Sequence, residues 1–272
     1  MLASQGLGTV VTVLILVLVG EPAPATDSLL WASIAGISGV GGLAFFYLAL
    51  ARGTMGVVAP LAALIGAGVP VLVAIVNGES VDAVRLLGIA LALTAVVLIS
   101  LPSPGVDAGE RRAFRVDLTE LPIVILAGLG FAGFFIGIDR ASETGAMWWP
   151  LTIVRVVGIT MVVLGFAIAI GRQKGTLRRR TSEVLGVDRF RASGRSLSGA
   201  LPLLVLTGVG DMGGNVFFVL ARSADSFAVA VVLSSLYPVV TTLLAALLLR
   251  ERLRPVQLVG VALATLSVPL LR

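Results

Sequence analysis

Cysteine and histidine are both absent from the 272 residues. No disulfide can form, and thiolate chemistry, the commonest metal ligands and histidine proton relays are all excluded. Charge is scarce as well. Asp, Glu, Lys and Arg make up 13% of the chain, against about a quarter in an ordinary globular domain. Hydrophobic residues reach 57% and mean hydropathy is +1.06, more apolar surface than a soluble fold of this length can hide. A soluble protein is excluded. A membrane-embedded hydrolase is disfavoured too, since it needs a Ser–His pair, paired aspartates or a metal site. No cofactor and no metal is implied.

What is present is a series of apolar blocks near the roughly 20 residues that cross a bilayer as a helix. Nine candidate spans fall at 2–20, 29–51, 54–76, 83–101, 121–140, 146–171, 199–222, 226–250 and 255–271. The expected fold class is all-α, a polytopic membrane helix bundle in a cytoplasmic (inner) membrane, with the lipid bilayer as first partner. Short linkers carry turn punctuation, such as Glu21-Pro22-Ala23-Pro24 and Pro102-Ser103-Pro104-Gly105. The stretch 172–198 is polar and basic, with Lys174 and seven arginines, and reads as a loop. No Lys or Arg precedes the first apolar block, so a retained helix is expected there rather than a signal peptide.

The sequence pI near 10.9 does not point to nucleic acid. The basic residues sit between spans, where they set orientation. Arg52 and the linkers at 101–120, 172–198 and 250–254 hold fifteen of the twenty Lys and Arg, all on one side. Arg85, Arg140, Arg222 and Arg272 lie on the other. The positive-inside rule places the first set in the cytoplasm.

The chain also matches itself. Sliding it by 172 residues aligns 36–98 with 208–270 without a gap, with 21 of 63 positions identical. Phe45-Phe46 falls on Phe217-Phe218, Gly41-Gly42 on Gly213-Gly214, Glu79 on Glu251 and Gly88 on Gly260. Each matched block holds three spans. Two more precede the second block and one precedes the first, giving five-span units. An odd unit enters the membrane in alternating orientation, the inverted-repeat design of secondary transporters. The expected organisation is a first repeat at 1–101 lacking its first helix, a linker at 102–120, and a second repeat at 121–272.

The run "GDMGGNVFFVLARSADSFAVAVVLSSLYPVVTTLLAALLLRERLRPVQLVGVALATLSV" resembles the second domain of EamA-type transporters in the drug/metabolite transporter superfamily. The run "VVAPLAALIGAGVPVLVAIVNGESVDAVRLLGIALALTAVVLIS" is similar to the matching part of the first domain. The resemblance implies two five-helix units around a central cavity and export or exchange of small metabolites such as amino acids and nucleotide sugars. It also implies a cytoplasmic C-terminus, opposite to the arginine bias, so orientation stays open. The alternative class is a non-transporting scaffold or an inactive truncated transporter.

Charges inside spans are the site candidates, because each costs about 2.5–3.5 kcal/mol at the bilayer centre. Arg155 lies well inside 146–171, and Asp211 is central in 199–222 with Asn215 one turn on. Two readings stand: these groups face a wet cavity and a polar substrate, or Arg155 and Asp211 neutralise each other. Ser234, Tyr237 and Thr241 share a face around Pro238, which frees the carbonyl of Ser234; helix–helix glue is the equal alternative. Pro60 and Pro70 do the same for Gly56 and Gly66. Gln5 occupies a place roughly equivalent to Arg155, and Trp149 is either an interfacial anchor or a substrate wall. Glu79 and Glu251 read as loop and orientation residues. A small-molecule substrate is expected, with protons as coupling ion carried by Asp211, in a monomer or homodimer.

Overall fold

The computed structural model describes residues 2–52, 55–101, 120–172, 197–224, 226–248 and 253–271. Within them every regular element is a helix: α1 (Leu2–Val19), α2 (Thr26–Arg52), α3 (Met55–Val76), α4 (Ala83–Ser100), α5 (Leu121–Ala141), α6 (Trp148–Arg172), α7 (Leu197–Ala224), α8 (Phe227–Ser235), α9 (Tyr237–Leu248) and α10 (Pro255–Leu270). Hydrocarbon offers the backbone no hydrogen-bond partner, so a chain this apolar closes its amides within helices. Among the described residues, six helical stretches are long and apolar enough to cross a bilayer, one of them Phe227–Leu244 formed by α8 and α9 together, and Gly8–Val19 and Pro255–Leu270 are shorter apolar helices. Residues 102–119 of the expected linker at 102–120, and 173–196 of the basic loop at 172–198, lie outside the described residues.

One expected span is divided. The block at 226–250 forms α8 and α9, separated by a turn at Leu236. Pro238 has no amide proton to give and is tolerated in a helix's first turn, so it sits as the second residue of α9. At the break the Leu236 amide bonds to the Leu233 carbonyl at 3.2 Å, and the Val239 amide bonds to the Leu236 carbonyl at 2.9 Å. The equivalent α3 runs unbroken through both Pro60 and Pro70.

Small residues set the helix spacing. α2 crosses α5 so closely that a Cβ added at Gly42 would stand 2.9 Å from the backbone of Gly130 and Phe131. A Cβ at Gly128 would meet Ala62 of α3 at 3.1 Å. Glycine at such crossings lets van der Waals contact replace the missing hydrophobic drive between helices in lipid. α4 pairs with α10 along its length. Gly88, early in α4, meets Leu270 and Leu271 at the end of α10, while Gly260, early in α10, meets Ile99 at the end of α4. The two helices are therefore antiparallel.

The main buried cluster gathers Ala32, Ile138, Leu151, Phe218, Phe227 and Val231 from α2, α5, α6, α7 and α8. All lie toward the ends where α2, α6 and α8 begin, the sparsely charged side. The cavity described below opens deeper in the bundle.

Candidate functional site: a central cavity with one ion pair

Arg155 stands two turns into α6, and its guanidinium Nη1 donates to Asp211 Oδ2 on α7 at 3.0 Å. The arginine is 3% exposed and the aspartate 51%. Both residues line the cavity. α1 completes the seat: a Cβ at Gly8 would stand 2.8 Å from Nη1, so a side chain there would have to displace the guanidinium. Below it, Thr12 is buried and returns its hydroxyl to the Gly8 and Thr9 carbonyls, which keeps this helix face free of unpaired polar groups.

The cavity measures about 430 Å³ and draws its walls from seven helices. That volume lies in the range of small-molecule sites, roughly 300–1,000 Å³. α2 offers Gly36, Gly39, Val40 and Leu43, and α3 offers Ala63, Gly66 and Ala67. From the second half come Phe131, Phe134 and Phe135 of α5, Val154 to Val162 of α6, and Asp211 with Asn215 of α7. Ser234 and Ser235 end α8 over the cavity, and Tyr237 opens α9 there. Polar groups thus concentrate on α6 to α9, and the opposite wall is aromatic and aliphatic.

Of the residues singled out from the sequence, five meet here: Arg155, Asp211, Asn215, Ser234 and Tyr237. Arg155 and Asp211 pair with each other and both line the cavity. Thr241 is exposed on α9, bonds to the Pro238 carbonyl at 3.0 Å and is not among the lining residues. Trp149 also lies away from the cavity wall. Its indole N–H donates to the Glu21 carbonyl at 3.0 Å, at the start of α6. Gln5 belongs to α1, and its side chain lies outside the described residues, as does Glu251.

Three features were missed. The phenylalanine wall of α5 carried a signal, since Phe131, Phe134 and Phe135 recur at helical spacing between glycines. Glu21 and Glu79 did not. Both sit in short linkers, where a carboxylate usually means solvent, yet each holds the start of a helix in the other half. Met147, Trp148 and Trp149 amides donate to the Glu21 carboxylate at 2.8, 3.0 and 2.8 Å. Ser226 and the Ala228 amide donate to Glu79.

One solved structure, described only as the crystal structure of a protein, is similar with a TM-score of 0.62 and 18% identity. The match covers 99% of this chain and 84% of that one, and it speaks to the fold. No curated protein matches. The model of the EamA-like transporter family matches residues 118–272, more than half of the sequence. Those residues include Arg155, Asp211, Asn215 and the α8–α9 break. The chain is a multi-pass membrane protein of the EamA-like transporter family.

Proposed function

We propose that this transporter carries small, polar, amino-acid-like metabolites across the cytoplasmic membrane by alternating access, as an exporter, with one five-helix unit rocking against the other. The observation that carries the reading is the Arg155–Asp211 pair on the wall of a cavity built from both halves. A charge pair in hydrocarbon is retained where it meets water or a ligand. Here it offers a cation and an anion 3.0 Å apart, complementary to a zwitterion. Asn215, Ser234 and Tyr237 add donors and acceptors on the same wall. The facing Phe131, Phe134 and Phe135 suit a solute with an apolar body behind its charged end.

Asp211 is the proton carrier in this reading. Substrate that engages Arg155 competes with Asp211 for the guanidinium, which links cargo binding to the state of the ion pair. An export screen of cells overproducing the protein, run against toxic amino-acid analogues and labelled metabolites, identifies the cargo. With that cargo in proteoliposomes, Asp211→Asn is expected to abolish flux driven by a pH gradient while leaving counterflow measurable. Undiminished pH-driven flux in the variant would remove Asp211 from the coupling role.

A further inference from the structure

On the sparsely charged side, two first-half helices end in the same way. α1 runs into Gly20 at φ +65° and α3 into Gly78 at φ +90°. Each left-handed glycine turns the chain sharply, and the next residue is a glutamate: Glu21 after Gly20, Glu79 after Gly78. Behind Gly78 the turn is closed by the Glu79 amide on the Ala74 carbonyl at 3.0 Å. Both carboxylates then cross to the second half and sit on helix N-termini. Glu21 takes three successive amides at the start of α6, and Glu79 takes Ser226 and the Ala228 amide at the start of α8.

A helix N-terminus leaves its first amides without intrahelical partners and carries partial positive charge, so a carboxylate there satisfies both needs. The usual cap comes from the helix's own preceding residues. For α6, an acceptor from a distant loop supplies it. For α8, Ser226 caps locally, accepting from the Val229 amide at 3.1 Å, and passes its own proton toward Glu79.

The two helices so held both carry site residues. Arg155 is seven residues beyond the start of α6, and Ser234 and Ser235 close α8. Between cavity and glutamates lies the buried plug of Ile138, Leu151, Phe227 and Val231. Phe135, on the cavity wall, packs at a tilt against Phe218 with ring centroids 5.0 Å apart, and Phe218 meets Phe227 edge-to-face at 6.4 Å. Buried side chains thus fill the register between the cavity residues and the helix starts that the glutamates hold.

We infer that Glu21 and Glu79 are the latch of the gate on the sparsely charged side: opening the cavity there requires α6 and α8 to leave these two carboxylates. The inference rests on the alternating-access reading. It makes Glu21 and Glu79 positioning residues that act on the balance between closed and open states without touching substrate.

The native chain contains no cysteine, so a single Val40→Cys on the cavity wall reports access without background. A membrane-impermeant maleimide is applied from each side in turn, using right-side-out and inside-out vesicles. Adding Glu21→Gln and Glu79→Gln together is expected to raise labelling from the sparsely charged side roughly tenfold, equivalent to about 1.4 kcal/mol of lost closed-state preference. Each single substitution should give an intermediate rise, and the singles decide the matter if the double variant is not monodisperse. Labelling from the basic side that stays strong, with sparse-side labelling unchanged in every variant, would overturn the latch and leave the transport reading standing. Labelling from neither side in any variant would overturn both.

Discussion

Gly260 on α10 lies directly over Ile99 on α4, where an added Cβ would stand 2.6 Å from the Ile99 side chain. The 172-residue offset converts this contact into its counterpart. Gly260 corresponds to Gly88, and Ile99 to Leu271, which is what Gly88 meets at 3.1 Å. A self-complementary contact between repeat-related helices places a local two-fold axis through the α4–α10 seam. Gly260→Val is expected to destabilise the folded protein by about 1–3 kcal/mol through overpacking. Thermal unfolding in detergent measures the loss, and Ile99→Ala in the same chain should restore part of it.

The α2–α5 crossing makes a sharper case. At Gly42 the obstacle to a side chain is the Gly130 and Phe131 backbone, which has no rotamer to change. Gly42→Ala is expected to push the helices apart and lower the unfolding temperature. Gly41→Ala, one residue away with nothing within 4 Å of its Cβ position, should be neutral or stabilise by up to about 1 kcal/mol through helix propensity. Equal effects from the two substitutions would count against the crossing as drawn.

The unequal exposure of the ion pair predicts unequal consequences. Asp211→Asn removes the carboxylate that a guanidinium only 3% exposed donates to, so a buried charge is left less well balanced and stability should fall measurably. Arg155→Met leaves an aspartate that is already 51% exposed, so the loss should be smaller. Chemical unfolding of both variants in the same detergent orders them, and the reverse order would show that the aspartate is the more deeply held partner.

Trp149 tests whether its role is anchoring to the linker. Trp149→Phe keeps most of the ring and removes the indole bond to Glu21, worth about 0.5–1.5 kcal/mol. Stability is expected to fall by that amount, with uptake of the identified cargo unchanged in KM. A shifted KM with unchanged stability would place the ring at substrate instead.

How much was legible beforehand follows from the kind of force involved. The helices were legible because a long apolar run in lipid has one way to satisfy its amides. Arg155, Asp211 and Asn215 were legible because charge and amide groups in a span demand a reason. Ser234 and Tyr237 were marked by the adjacent Pro238. Trp149 and Thr241 shared those cues, yet their side chains bond to nearby backbone rather than line the cavity. Composition does not reveal which way a helix face turns.

By itself the sequence determined that this is a helical membrane transporter of repeated design, since hydropathy, the internal match and the family signal are properties of residues in order. Tertiary structure alone decided that Arg155 and Asp211 form one pair beside a phenylalanine wall. It also decided that Glu21 and Glu79, unremarkable in their linkers, hold helices 126 and 149 residues away. Those facts depend on distances between segments remote in the chain. Such distances are set by how closely glycine-lined helices pack, a sum of many small contacts that no single stretch of sequence contains.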